Sequence, residues 1–398
     1  RRQSAGRDGG TRPHPCYIPE NEFRKLRTMI RMYRRVAGVG LALTMLVAGC
    51  GHSSSTSQGP ATSSTPVPSV ATSSTRAASA TSQAARDLPD PHTLRGLTEV
   101  PELPDPKPVE GSSAQKLPVT VTDVEGNKVT IKSTSRILAL DLYGTLSRTL
   151  IGLGLGDKIV GRTVSSTEKQ LHDRPVVTEN GHVLNVEAVA GLKPSVIIAD
   201  RSVGPKEALD QLRKSGIPVV LVDPHRSVGS TPQLIRTIAD AVGKPDAGEA
   251  LVKRTQEQID QAKKQIAAWK PAKPMRVAFL YVRGNAGVFF ILGSENGASE
   301  LIQGVGADDV ASDKGITTLV PANAESLVSI NPDAIFVMRD GLASTGGMKG
   351  LLARAGVANT TAGRKQRVIS IPDGISLSFG PQTGEVLTAV AKALYGVK

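Results

Sequence analysis

Tyr281 and Arg283 stand in the run Phe279-Leu280-Tyr281-Val282-Arg283-Gly284-Asn285, where an apolar segment runs out into a glycine loop. Alternation along a strand puts both side chains on one face, side by side, with Phe279 below them. An arginine beside a phenol favours the phenolate, through its charge or by donating a hydrogen bond to the oxygen. A phenolate is a hard anionic ligand suited to ferric iron, and histidine is the commonest neutral partner. One histidine occupies a comparable place: His182, in the glycine loop Thr178-Glu179-Asn180-Gly181-His182-Val183-Leu184-Asn185. His52 and His92 lie in a polar, proline-bearing stretch before the apolar patterning begins, and His172 and His225 sit in polar loops without a paired tyrosine or carboxylate cluster, although His225, in Asp223-Pro224-His225-Arg226 at the end of another apolar run, is held in reserve.

The elements that must hold these side chains alternate between strand and helix. Ile137-Leu138-Ala139-Leu140 is followed by a helix over 143–152 and by Lys158-Ile159-Val160-Gly161. Val196-Ile197-Ile198-Ala199, a helix over 205–215 and Val219-Val220-Leu221-Val222 come next. The stretch 246–269 carries Leu251, Ile259, Ala262 and Ile266 at helical spacing and is closed by Lys270-Pro271-Ala272-Lys273-Pro274. A second alternation then opens at Val277-Ala278-Phe279-Leu280 and continues through Ala334-Ile335-Phe336-Val337 and Val368-Ile369-Ser370-Ile371. Buried strands separated by helices of about ten residues imply βαβ units and parallel sheets covered on both faces.

The two alternations echo one another. The segment from Asn185 through Glu187 and Pro194 to Ile198 aligns without a gap on the one from Asn323 through Glu325 and Pro332 to Phe336. Each has a polar start, a glutamate in the first turn, about two helical turns and a proline turn into a buried strand. The expected fold is therefore α/β, with two similar Rossmann-like lobes built on parallel-type sheets and joined by a single long helix. The cleft between the lobes is the natural ligand site.

Two α/β lobes, one interlobe helix and the paired glutamate units resemble the helix-backboned, class III periplasmic binding proteins of ABC importers for siderophores, cobalamin and haem, over essentially all of 117–398. The pattern Asn180-Gly181-His182-x-Leu184-Asn185 with a later Tyr281-x-Arg283 is similar to actinobacterial haem-binding lipoproteins of the HmuT type. The resemblance implies that the transported ligand is haem, ferric protoporphyrin IX, with His182 and Tyr281 as axial ligands of its iron and Arg283 as the partner of the tyrosine. His182 lies in the first lobe and Tyr281 in the second, so closing the cleft would put one on each side of the flat macrocycle. Arg162, Ser165, Ser166 and Arg201, after first-lobe strands, are candidates for the propionates. The resemblance also implies that Glu187 and Glu325 sit on the lobe surfaces and pair with arginines of an ABC permease. That permease and its ATPase, and haem-donor proteins upstream of them, are the expected partners of a monomeric carrier. Without a permease each glutamate would simply complement its helix N-terminus, worth about a few tenths of a kcal/mol.

Leu46-Val47-Ala48-Gly49-Cys50 closes an apolar run that follows Arg31, Arg34 and Arg35, the order of a lipoprotein signal that leaves Cys50 as a lipidated first residue at the extracytoplasmic face of the membrane. The expected division is an upstream extension over 1–28, a signal peptide over 29–49 starting at Met29 or Met32, and a Ser/Thr/Pro/Ala-rich tether over 50–116 with too few apolar residues to fold. The N-terminal lobe then covers 117–245, the interlobe helix 246–270 and the C-terminal lobe 271–398. Residues 1–35 hold ten Lys/Arg against three Asp/Glu, seven of the net +12. The balance that remains gives no support to nucleic-acid binding. Cys16 lies in the discarded stretch, which leaves no disulfide or cysteine metal site. The glycines of 152–157 lack dinucleotide-binding spacing, 293–297 lacks a P-loop lysine, and no nucleophile-and-base motif is present, so no enzyme signature survives. The glycine-rich stretch 341–347 reads as a flexible connection at the rim. Two competing readings are the same fold carrying a ferric siderophore or cobalamin, and a tethered envelope interaction module that binds no small molecule.

Overall fold

The computed structural model describes residues 88–398 apart from 111–114, 180 and 286. Cys50, the start at Met29 or Met32, the signal segment and the tether up to residue 87 lie outside the described residues. The chain enters with β1 (Leu97–Glu99) and the hairpin of β2 (Val119–Thr122) and β3 (Lys128–Ile131).

The first lobe follows, with β4 (Ile137–Leu140), α1 (Thr145–Gly152), β5 (Ile159–Gly161), the short pair β6 (Thr178–Glu179) and β7 (Val183–Leu184), α2 (Val186–Gly191), β8 (Val196–Ala199), α3 (Lys206–Lys214), β9 (Val219–Leu221) and α4 (Thr231–Ala241). Its sheet runs β5-β4-β8-β9, and every pair is parallel. Both faces are covered. Ile137 and Ala139 pack with Leu146, Leu150 and Ile238 on one side, while Leu138 and Leu140 meet Val189, Leu209 and Leu212 on the other. An unbroken apolar run is what a strand between two helical layers requires.

α5 (Pro245–Trp269), 25 residues long and so about 37 Å, leads to the second lobe. There β10 (Arg276–Arg283), β11 (Val288–Ile291), α6 (Ala298–Gly304), β12 (Asp308–Asp309), β13 (Val320–Pro321), α7 (Ala324–Ile330), β14 (Ala334–Met338), α8 (Arg339–Ser344), α9 (Gly347–Leu352), α10 (Thr361–Lys365), β15 (Val368–Ile371), α11 (Asp373–Ser376) and α12 (Thr383–Tyr395) complete the chain. α4 and α12 both pack on α5. Gly384 of α12 allows the close approach, because a Cβ there would lie 2.4 Å from the carbonyl carbon of Gln258.

The second sheet has seven strands in the order β1-β15-β14-β10-β11-β13, with β12 also on β10. It is mixed rather than parallel throughout: β11 returns antiparallel along β10, and β13 pairs antiparallel with β11. The loop after Arg283 is long enough for a hairpin but too short for the crossover that a parallel neighbour needs.

The sequence echo is structural. Asn185 and Asn323 cap α2 and α7, each side chain accepting from the backbone N–H three residues on, at 2.9 Å. Lys193 and Asn331, at equivalent places, both take positive φ, 45° and 35°. An arginine at the start of each sheet, Arg136 or Arg276, donates to the last carbonyls of the matching helix.

Residues 88–110 correct the expected tether. β1 adds a parallel strand to β15 of the second lobe. Val100 is wholly buried, Arg254 of α5 donates to the carbonyls of Lys107 and Pro108, Asp105 accepts from the backbone of Lys169 and Gln170, and Val109 joins the first-lobe core. This strap crosses from the second lobe to the first over α5. A three-residue strand among prolines has no period to read, so the sequence hides it. The segment 341–347 is corrected too: it ends α8 at Ser344, turns at Thr345 and Gly346, and opens α9.

Candidate functional site

Tyr281 and Arg283 lie at the C-terminal end of β10, between parallel β14 and antiparallel β11. Strand alternation brings them together, and the Arg283 guanidinium carbon sits 4.9 Å from the Tyr281 ring centroid, over its face. Both are largely buried, at 8% and 6% exposure. The guanidinium donates to Asp373 Oδ2 at 2.6 Å, to the Val282 carbonyl at 3.2 Å and to the Met338 sulfur at 3.3 Å. A cation over an aromatic face is held by the ring quadrupole. It also places positive charge beside the phenol, the condition that favours a phenolate. Burial raises the Asp373 carboxyl above the usual range, and Arg283 pulls it back down. Phe279, below, packs edge-on against Phe336.

His182 occupies the turn between β6 and β7 and is 7% exposed. Gly181 before it takes φ 89°, which a side chain rarely tolerates. The turn is fixed from outside: Gly204 N–H donates to the His182 carbonyl at 2.9 Å, and Leu184 N–H to the Gly204 carbonyl at 2.7 Å. Asn185, while capping α2, donates to Glu179 at 2.8 Å. The histidine thus belongs to the first lobe, and the tyrosine with its arginine to the second.

The remaining candidates divide. Arg162, half-buried after β5, donates weakly to the carbonyls of Thr163 and Ser166, both at 3.5 Å, and burial lowers its pKa. Ser165 is partly exposed beside it. Ser166 is buried with its hydroxyl 3.3 Å from that of Thr163. Its hydroxyl therefore faces the protein. Arg201 is also corrected: it forks onto Glu125 at 2.8 Å and reaches Asp210 at 3.0 Å, so its charge is committed to carboxylates. His225 is exposed, with its backbone N–H on Asp223. Glu187 and Glu325 are exposed in the first turns of α2 and α7.

Sequence reasoning missed two buried polar clusters. At the ends of β4, β8 and β9, Asp141 and Asp200 share one cation: Arg226 pairs with Asp200 and lies 3.7 Å from Asp141, under the Tyr143 ring. Burial and the neighbouring Asp200 push Asp141 up to about 7, and burial raises Tyr143 to about 12. Thr145, bonded to Arg226, donates to the carbonyl of Ser378 in the second lobe. Nearby, Arg148 of α1 pairs with buried Glu168 at 3.4 Å and donates to Gln382 at 2.7 Å and to the Gly374 carbonyl at 3.3 Å. The lobes are therefore joined by polar contacts as well as by α5. No local motif announces residues so far apart in sequence.

Two α/β lobes spanned by one helix, with chemistry-bearing side chains where strands end in each, define a ligand carrier, a class that in general is not enzymatic. A family model of periplasmic binding proteins matches residues 142–374, and the chain belongs to that family, the substrate-binding proteins of ABC transporters. It is 27% identical over 280 residues, 70% of this chain and 86% of its relative, to the ABC transporter substrate-binding lipoprotein YvrC of Bacillus subtilis. It is 24% identical to a cobalamin-binding protein of Halobacterium salinarum, over 73% of this chain and 78% of that one. Among solved structures, the haem-binding protein HmuT matches at 49% identity with a TM-score of 0.76, covering 78% of this chain and all of its own. No helix among the described residues is long and apolar enough to cross a membrane.

Proposed function

We propose that this protein captures haem between its lobes and delivers it to an ABC permease. Tyr281 and His182 ligate the ferric iron from opposite sides, Arg283 favours the phenolate form of the tyrosine, and Arg162 and Ser165 of the first lobe hold the propionates. The observation that carries this reading is the Arg283 guanidinium laid over the Tyr281 ring at a strand end, a cation held against a phenol. Solved HmuT variants support it: the histidine, tyrosine and arginine replaced by alanine there stand at the same spacing along the sequence as His182, Tyr281 and Arg283. Among the described residues no group of three or more His, Cys, Asp or Glu could hold a metal ion. Two protein ligands suit an iron that brings its other four donors with it.

Release follows from geometry. The ligands come from different lobes, so separating the lobes breaks one axial bond without any need for reduction. Glu187 and Glu325, placed alike on the two lobes, present two similar acidic points to a two-fold permease. Lipidation at Cys50 keeps the carrier at the outer face of the membrane.

The test is a titration of the purified protein with haemin, a ferric siderophore and cobalamin, followed by absorbance and thermal shift. The expected result is a ligated ferric haem spectrum that changes in Tyr281→Ala and again in His182→Ala, with a melting point raised by haemin. Stabilisation by cobalamin in place of haemin would move the assignment to the ligand of the Halobacterium relative. No stabilisation by any of the three leaves the interaction-module reading.

A further inference from the structure

Asp373 has no role in the scheme above, yet three strands of the second lobe end on it. It follows β15, and its Oδ2 accepts from Arg283 Nη2 at the end of β10, at 2.6 Å. Its Oδ1 accepts from the backbone N–H of Asp340, just past the end of β14, at 2.9 Å. The next residue, Gly341, walls in the guanidinium: a Cβ built there would lie 2.1 Å from Arg283 Nη1 and 2.5 Å from the Val282 carbonyl oxygen.

The in-plane contacts to Asp373, Met338 and Val282 fix the plane of the guanidinium. A fixed plane is what allows its face to rest on the Tyr281 ring. Arginine has a long, rotamer-rich stem, and without an anchor it spreads over many conformers, most of them pointing elsewhere. The ring alone holds it weakly, because the attraction at a partly wet site is modest. A half-buried carboxylate bonded at both oxygens, one to the Arg283 side chain and one to the Asp340 backbone, supplies the missing constraint. Asp340 is the other charge that acts on Asp373, and it opposes ionisation.

We propose that Asp373 is a positioning residue: it holds Arg283 over Tyr281, so that the ligand strength of the phenol depends on a carboxylate that does not touch the ligand. The consequence for iron rests on the haem reading; the placement of Arg283 does not. Two measurements separate them. In the ligand-free protein, the side-chain N–H signal of Arg283, assigned by its loss in Arg283→Lys, is expected to carry a ring-current shift that Tyr281→Leu abolishes. Asp373→Ala is expected to abolish it equally. In the haem-loaded protein, the rate of haem loss to a competing apoglobin is expected to rise about five- to thirtyfold in Asp373→Ala, the range spanned by a cation–π contact. It should match Arg283→Ala, and Asp373→Ala should add nothing in the Arg283→Ala background.

An Arg283 signal unchanged in Asp373→Ala overturns the proposal. So does a haem-loss rate that Asp373→Ala raises as much in the Arg283→Ala background as in the parent, since the carboxylate then acts without the arginine. A haem spectrum indifferent to Tyr281→Leu removes the haem reading instead, and the arginine signal still decides the role of Asp373.

Discussion

Replacing Arg148 by methionine removes the cation that joins the lobes. Arg148 is 4% exposed, pairs with Glu168 at 3.4 Å, and donates to Gln382 and to the Gly374 carbonyl in the second lobe. Glu168 is 1% exposed; it accepts from Ser147 at 3.0 Å through one oxygen, while its Oε2 has no hydrogen-bond partner among the described residues. Methionine fills the space but leaves a buried carboxylate uncompensated, a loss of about 3–5 kcal/mol. For a chain of this size that corresponds to a fall of about 5–8 °C in Tm. The pH dependence has a definite sign. Burial already raises the Glu168 carboxyl, and Arg148 is the main influence holding it down. In the variant it rises further above its unfolded value, so the folded state binds a proton that the unfolded chain releases. Stability is then regained as pH falls toward the ordinary carboxylate range and lost as pH rises through the raised value. Urea denaturation at pH 8 and pH 5 should show a large deficit at the first and a small one at the second, and adding Glu168→Gln should restore most of it at pH 8. A deficit below about 1 kcal/mol, or one equal at both pH values, would refute the reasoning.

Gly341→Ala places a methyl where the Arg283 guanidinium and the Val282 carbonyl lie, so it should cost about 1–3 kcal/mol in denaturation and speed haem loss; a variant that matches the parent in both shows that the arginine is not confined there. Glu187→Ala and Glu325→Ala should leave melting and haem absorbance unchanged while slowing uptake by permease-containing proteoliposomes, the double variant most; full uptake by the double variant removes the docking role. Asp141→Asn should gain stability over the parent as pH rises through about 7, because a carboxyl raised by burial and by Asp200 destabilises the fold once ionised, and parallel stability curves would count against it. Val100→Asp should lower the unfolding free energy by about 2–5 kcal/mol, since Val100 is wholly buried in the strap; a silent substitution would return 88–110 to the tether.

How much the sequence revealed depended on how local each constraint is. The repeat was legible because Asn185 and Asn323 cap helices, and Pro194 and Pro332 stop them, by rules that act within a few residues. Tyr281 and Arg283 were legible as a pair because strand alternation alone makes them neighbours. Asp373 was not. It meets Arg283 because β15 lies beside β14, and β14 beside β10, an order that no local pattern encodes. Arg201 was misread for the same reason, its partner Glu125 lying on the β2–β3 turn. Glycines misled in 341–347, where Gly341 serves a close approach and not a flexible loop.

The junction and the site make opposite demands on motion. Among the described residues the lobes are linked by α5, by the strap over 88–110, by the segment after β15 whose Ser378 and Gln382 meet α1, and by Val228, whose backbone N–H donates to Glu300 of α6 at 3.2 Å. Several buried polar bonds must break together before the lobes swing widely, so wide opening is costly and a small rocking is not. A metal–ligand bond, by contrast, is lost over a short distance. On the haem reading that mismatch is the working principle: His182 is pinned through Gly204 to the first lobe and Tyr281 is set in the longest strand of the second, so a rocking too small to disrupt the junction is enough to pull the iron away from either ligand. On the docking proposed for Glu187 and Glu325, a permease pulling on them would need to supply little more than the difference between two axial bonds and a single remaining bond.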